Sequence, residues 1–313
     1  MRLALIYGGE GYEREVSLLG FRHLFPILND IFDLFPIHIN TDGHWIYKNT
    51  RVFPTDGGFY SIEREKLYPV DCAFPLLHGN YGEDGIIQGA LSVAKIPYIG
   101  SPSTVGAVCR DKTVVKAVAE SIGIPTLPYR LIGRAERPDV PCFIKPTGLG
   151  SSIGASAVRG EEELASALER AFAVSERVMA EPLLEEKREL ECGYFSAKGK
   201  EIFTNPGEIL SCGFYDYKKK YEGGTKINVR ADLDESLTRR IKDYAKSLAH
   251  ALGVRQIARV DFFLSEGELY FNEINTMPGF TRESLYHKML SLEGISLREM
   301  IISLAEDAYA GRA

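Results

Sequence analysis

The stretch from Ala258 to Phe280 constrains this chain most. Two runs rich in Val, Ile, Phe and Tyr, Arg259–Leu264 and Leu269–Ile274, flank Ser265-Glu-Gly-Glu268. That pattern predicts two strands joined by a tight turn. Side chains alternate along a strand, so Arg259 and Asp261 share one face, and Glu273 and Asn275 share one face. A register centred on Gly267 brings all four to the same side. Two carboxylates, an amide oxygen and a guanidinium then crowd a small volume. Hard oxygen ligands of this kind suit Mg²⁺, which keeps waters and bridges to phosphates. The alternative is a hairpin whose polar face meets water. Against it, two facing acids repel unless a cation lies between them.

The 313 residues predict two or three structural units, and 45% hydrophobic residues fit a globular chain. A net charge of −6 argues against a nucleic-acid partner, which selects a basic face. No apolar run reaches the length of a membrane span, so no membrane partner is expected. Met1–Tyr7 leads into Gly-Gly and reads as a first strand rather than a signal peptide. The five cysteines, Cys72, Cys109, Cys142, Cys192 and Cys212, are scattered and form no CxxC pair. Buried free thiols in a reducing cytoplasm are expected.

Arg2–Tyr7, the Gly8-Gly9 loop and a helix opening near Glu13 make a strand, glycine loop and helix, the start of a nucleotide-type α/β unit. The spacing is not GxGxxG, and Glu13 and Glu15 also suit the positive end of a helix on their own. Residues 32–55 hold further strand-like pieces. Val70–Leu77 reads as a buried strand ending at His78, followed by a polar glycine loop and an apolar helix from about Ile86 to Lys95. His78 is either structural or placed at a strand's carboxyl end, where open α/β sheets bind ligands. Asp111 caps an expected helix, Lys112–Ile122. A strand ending at Lys145 then runs into a loop with Gly148, Gly150, Ser151, Ser152 and Gly154. Backbone N–H groups of such a loop wrap phosphate oxygens, with Lys145 adding charge; a plain hairpin turn is the other reading. The Walker pattern is absent.

Glu161–Glu176 is an amphipathic helix. Strands at Val178–Leu184 and Arg188–Phe195 carry Glu181, Glu185, Glu186, Glu189 and Glu191, mostly a solvated face, with one or two able to hold ribose hydroxyls or an adenine amine. Phe214–Tyr221 is aromatic and basic, either loose surface or a lid for an anionic ligand. Helices are expected at Leu237–Leu252, Thr281–Leu292 and Ser296–Tyr309.

Five stretches then fall in a fixed order across nearly the whole chain. They are Glu13-Arg-Glu-Val-Ser17, His78-Gly-x-x-Gly-Glu-Asp-Gly85, Lys145-Pro-x-x-x-Gly-Ser-Ser-x-Gly154, Tyr215-Asp-Tyr-x-x-Lys-Tyr221, and Arg259-Val-Asp with Asn272-Glu-Ile-Asn-Thr-x-Pro-Gly-Phe-Thr281. Together they resemble the D-alanine–D-alanine ligases of the ATP-grasp superfamily.

The resemblance implies an α/β fold with α+β elements, in three domains. Residues 1–101 would form a Rossmann-like N-terminal domain, 102–182 the central ATP-grasp subdomain, and 183–313 the C-terminal subdomain with the metal site. It implies ATP and two Mg²⁺ ions, with Mn²⁺ able to stand in, and a cytoplasmic homodimer making D-alanyl-D-alanine for peptidoglycan. By the same resemblance Asp261, Glu273 and Asn275 would hold the metals. Lys112, Lys145 and Lys220 would contact ATP phosphates, Glu181 and Leu184 the adenine, and Glu189 the ribose. Arg259 and the Gly279 N–H would stabilise the developing oxyanion. Glu13 would pair with the ammonium of the first D-alanine, beside His78, and Ser151, Glu13 and Tyr221 would tie the closed site together. Ser284 and Leu285 would receive the second substrate.

Departures from the family pattern lie at Glu10-Gly11-Tyr12, at one extra residue before Glu189, at Arg230, and in a slightly short 221–230 segment. Relatives that make D-Ala-D-lactate usually lack the lid tyrosine, so Tyr221 favours an amino-acid nucleophile, D-alanine or D-serine. The alternative of another class is a non-catalytic nucleotide-binding regulatory module. The intact Arg259, Asp261, Glu273 and Asn275 argue against it.

Overall fold

The computed structural model describes residues 1–210 and 226–311. Its first sheet is built on β1 (Arg2–Gly8), which pairs in parallel with β2 (Asp33–Ile39). Leu3, Ala4, Leu5 and Ile6 have no exposed surface, as a parallel strand covered on both faces requires. Helix α1 (Arg14–Asn29) joins the two strands. Gly8 and Gly9 turn the chain between them with φ of 97° and 106°, and a Cβ on Gly8 would sit 2.2 Å from the Ile39 carbonyl oxygen. Strands β3 (Trp45–Tyr47) and β4 (Thr50–Arg51) extend this sheet. A separate three-stranded sheet follows, β5 (Phe53–Thr55), β6 (Gly58–Ser61) and β7 (Lys66–Pro69).

Strand β8 (Cys72–Pro75) pairs in parallel with the other edge of β1. It is shorter than the expected Val70–Leu77. Past Pro75 the chain bends, and the Leu76 N–H donates to both Ile6 O and Phe74 O. Three helices follow, α2 (Ile86–Val93), α3 (Ser103–Arg110) and α4 (Lys112–Ser121). As expected, Asp111 caps α4, accepting from the Thr113 N–H.

A four-stranded antiparallel sheet comes next, in the order β11-β10-β12-β9. Its strands are β9 (Arg130–Ile132), β10 (Cys142–Pro146), β11 (Ser156–Val158) and β12 (Val178–Pro182). Helix α5 (Glu161–Val174) buries Leu164, Ala167, Leu168 and Ala171 against it, one face at helical spacing.

The last sheet has six strands among the described residues, with β13 (Arg188–Ala197) and β17 (Ile257–Ser265) at its centre. Around them lie β14 (Lys200–Phe203), β15 (Gly207–Leu210), β16 (Lys226–Asn228) and β18 (Glu268–Asn275). Helix α6 (Glu235–Leu252) starts on the Asp234 cap and stops at Gly253, whose φ is 69°. With α3 and α4 it covers one face of this sheet, through Val115, Ala119, Ile241, Ala245 and Leu248. Helix α7 (Leu285–Leu292) starts later than the expected Thr281, because Ser284 Oγ accepts from the Thr281 N–H and closes a turn first. Helix α8 (Leu297–Ala310) opens on a Ser296–Glu299 capping box. Its Met300, Ile301 and Leu304 share one core with Leu3, Leu5 and Phe74 of the first sheet and with Phe195 and Ile257 of the last. The termini of the chain are thereby packed together, and the loops that follow β1, β8 and β18 open on one space.

Candidate active site

The hairpin meets the expectation, but by a different route. Its turn is the pair Glu266-Gly267, with φ of 52° and 82°, and Ser265 faces Glu268. In that register Asp261 would oppose Asn272, and Glu273 would face the core. A bulge between Asp261 and Phe262 shifts the pairing by one residue, so that Asp261 faces Glu273 and Arg259 faces Asn275. The extra residue is Asn272, whose Oδ1 accepts from Lys145 Nζ at 3.1 Å.

Each of the facing acids has a cation against it, Arg259 on Asp261 and Lys112 on Glu273, which offsets their repulsion. Arg259 grips Asp261 with two hydrogen bonds, 2.7 and 2.6 Å, and Asn275 Nδ2 donates to Asp261 at 3.1 Å. The same guanidinium lies 3.3 Å from Glu191. Burial works against the Arg259 charge, but Asp261 and Glu191 outweigh it and hold its pKa well above the ordinary value. Lys112 Nζ lies 3.1 Å from Glu273 and donates to Leu149 O at 2.7 Å. Its pKa is lowered by burial, against the pull of Glu273.

The loop between β10 and β11 carries Ser151 and Ser152 at φ 51° and 58°, two successive residues in the left-handed region. Ser151 Oγ donates to Glu13. Glu13 lies 3.6 Å from Arg110, which donates to Glu83 at 2.7 Å. Glu83 faces His78 Nδ1 at 3.8 Å. His78 Nε2 is buried with no hydrogen-bond partner among the described residues. Burial raises the Glu83 carboxyl, but the neighbouring His78 and the Arg110 charge outweigh it and hold it below the ordinary range.

The acids on β12, β13 and the loop between them split: Glu185 and Glu186 are exposed and Glu189 half-buried, whereas Glu181 and Glu191 are buried. Glu181 is 4% exposed, held between Lys116 at 2.5 Å and Lys145 at 2.7 Å. Burial raises its pKa, and the two lysines reverse that and lower it. Glu191 is buried against Arg259, Glu189 pairs with Lys187 at 3.2 Å, and Glu185 is exposed with Arg159.

One cavity of about 350 Å³ collects these groups. Its lining includes Glu13, His78, Lys112, Lys145 and Ser151 together with Arg259, Asp261, Glu273 and Asn275. Glu181, Leu184, Glu189, Gly279, Ser284 and Leu285 line it as well. Lys220 and Tyr221 lie outside the described residues, as does Cys212. Sequence reasoning missed Arg110, Lys116 and Asn272. Lys116 carried a signal, since it sits four residues after Lys112 on one helix and therefore on the same face. Glu83 stood within the quoted His78–Gly85 stretch but received no role.

The donor set fits Mg²⁺. Among the described residues no three His, Cys, Asp or Glu side chains gather into a preformed metal cage. Two carboxylates and one amide beside two lysines suit an ion that takes one or two acids and completes its shell with water and phosphate oxygens. No helix among the described residues is long and apolar enough to cross a membrane.

Comparison with known proteins gives the family. The family model described as D-ala D-ala ligase C-terminus matches residues 119–306, and that of the N-terminus matches 55–101. A D-alanine–D-alanine ligase of Deinococcus radiodurans is 38% identical, over 99% of this chain and 99% of that one. One from Treponema denticola is 32% identical, over 98% of this chain and 95% of that one. The crystal structure of D-alanyl-alanine synthetase A from Vibrio cholerae superposes with a TM-score of 0.89 at 28% identity, covering 99% and 98% of the two chains. The VanG D-Ala:D-Ser ligase of Enterococcus faecalis superposes at 0.86 and 32% identity, covering 98% and 99%. The matching family models and the full-length likeness to these enzymes converge on one assignment: the chain has the ATP-grasp fold and belongs to the D-alanine–D-alanine ligase family.

Proposed function

We propose that this protein joins two D-alanine molecules, using ATP, and releases ADP and phosphate. The γ-phosphoryl group passes to the carboxylate of the first D-alanine. The amine of the second attacks the acyl phosphate, and the tetrahedral adduct expels phosphate to leave the dipeptide. The observation that carries the reading is the pairing of Asp261 with Glu273 in the same cavity as Lys112, Lys145 and Ser151.

In this reading the residues take the following tasks. Asp261, Glu273 and Asn275 would hold Mg²⁺, which when bound neutralises phosphate charge. Lys112 and Lys145 supply further positive charge near the phosphates, and Lys220 joins them in this reading. Glu181 and Leu184 take the adenine, and Glu189 takes the ribose. Glu13 receives the first ammonium, with His78 Nε2 beside it, and Ser151 and Tyr221 close the group. Arg259 and the Gly279 N–H face the developing oxyanion. Ser284 and Leu285 bind the second substrate. Three domains, 1–101, 102–182 and 183–313, would supply these parts. The same reading places a homodimer in the cytoplasm, supplying a peptidoglycan precursor.

The likeness to a D-Ala:D-Ser ligase favours a second reading, with D-serine as the nucleophile. Incubation with ATP, Mg²⁺, D-alanine and an equal amount of D-serine separates the two by product mass. D-alanyl-D-alanine is the expected main product. No phosphate release with either amino acid would sink both readings.

A further inference from the structure

Lys116 takes no part in the chemistry above, yet it is the most deeply enclosed charged side chain beside the cavity. It lies on α4, has no exposed surface, and does not line the cavity. Its ammonium meets Glu181 at 2.5 Å and Leu127 O at 3.3 Å, and lies 5.7 Å from the centre of the Tyr129 ring. Replacing a whole buried ion pair such as Lys116 and Glu181 by apolar side chains of similar size is often neutral or stabilising, so the pair is weak evidence of a role in stability. A buried lysine kept there calls for a reason other than cohesion.

The charge count supplies one. Glu181 is a single negative charge held by two lysines, Lys116 from α4 and Lys145 from β10, with Glu120 of α4 the next acid near Lys116. One lysine suffices to neutralise it. The two differ in reach. Lys116 is walled in, whereas Lys145 lines the cavity and has a second acceptor in Asn272 Oδ1 at 3.1 Å. An incoming phosphate can recruit Lys145. It cannot recruit Lys116.

We infer that Lys116 is a positioning residue for nucleotide binding: it is the fixed counter-ion of Glu181 that frees Lys145 for the phosphates. This rests on the reading of the cavity as a nucleotide site. Without Lys116, Lys145 has two competing tasks. If it leaves for phosphate, Glu181 is stranded as a buried anion, which is strongly unfavourable unless it takes up a proton. With Lys116 present, Glu181 stays ionised and in place while Lys145 moves.

The test is titration calorimetry with ADP at pH 7, in two buffers of different ionisation enthalpy, on the wild-type protein, K116M, E181Q and K116M/E181Q. K116M is expected to bind ADP about 10- to 100-fold more weakly, the loss typical of a hydrogen bond to a charged group. It is also expected to take up close to one proton more per ADP than wild type, and the double variant to lose that extra uptake. Unchanged affinity and proton count in K116M overturn the inference. So does weaker binding with no change in proton count, which would make Lys116 a matter of folding alone. Should K116M not fold, E181Q and the double variant decide. With the acid gone, loss of Lys116 is expected to change ADP affinity by no more than about threefold, and a larger loss overturns the inference. Failure of the wild-type protein to bind ADP would count against the nucleotide site itself, not against the role of Lys116.

Discussion

Replacing Arg110 by methionine removes the positive charge between two buried acids. The guanidinium lies 2.7 Å from Glu83 and 3.6 Å from Glu13, and the three side chains are 11%, 10% and 9% exposed. At that burial solvent cannot take over the neutralisation. Breaking such a pair by deleting one partner costs roughly 3–5 kcal/mol. A loss of that size lowers Tm by several degrees. The effect also has a definite pH dependence. Glu83 has a depressed pKa in the folded protein, so its ionised form contributes stability above its unfolded pKa, and that contribution is lost as pH falls through the folded value. In R110M the Glu83 pKa rises. The gap between wild type and variant should therefore be widest near pH 7 and narrow on acidification, as the stranded acid takes a proton. Urea unfolding followed by circular dichroism and by the fluorescence of Trp45, the single tryptophan, measures it at pH 7 and pH 5. A gap below about 1 kcal/mol at pH 7, the range of an exposed pair, would refute the reasoning. A gap that widens towards pH 5 would refute it equally.

Arg259→Met should lower kcat by about 10²- to 10³-fold if the guanidinium faces the developing oxyanion, and steady-state phosphate release reads this directly. Asn272→Ala keeps the bulge but removes an acceptor from Lys145, so KM for ATP should change while the circular dichroism spectrum does not. His287 is buried, and burial together with His23 lowers its pKa despite the hydrogen bond to Thr281 O. The folded protein then binds fewer protons there than the unfolded chain. Stability should fall as pH drops below about 6.5, and H287Q should flatten the Tm profile over that range. Burial pushes the thiols of Cys72, Cys109 and Cys192 up to about 12, so native protein treated with iodoacetamide at pH 8 should leave these three unlabelled by peptide mass analysis.

Much of this architecture was legible in the residues, for physical reasons. Strand patterning at β1 and β17 is strong because each alternates or runs apolar over a full strand. The cap at Asp111 is local chemistry, readable without tertiary context, whereas the Asp234 cap, which starts its helix two residues before the expected Leu237, was not read. The hairpin's chemistry was visible, but its register was not. A turn centred on Gly267 and a two-residue turn with a bulge at Asn272 give the same facing pairs, and only coordinates distinguish them. The start of α7 was missed because Ser284 bonds back to Thr281, a choice that local propensity does not decide. Arg110 and Lys116 were missed for another reason. A buried charge is recognised by its partner, and Glu83 and Glu181 lie 27 and 65 positions away in the chain.

The last helix has a consequence for how this gene tolerates damage. Helix α8 contributes nothing to the cavity wall, yet it bolts the opening strand to the closing sheet through Met300, Ile301 and Leu304. A frameshift or stop codon near codon 297 would spare every residue assigned to substrate or metal. It would still silence the protein, because Glu13 and Asp261 would no longer share one wall-to-wall frame.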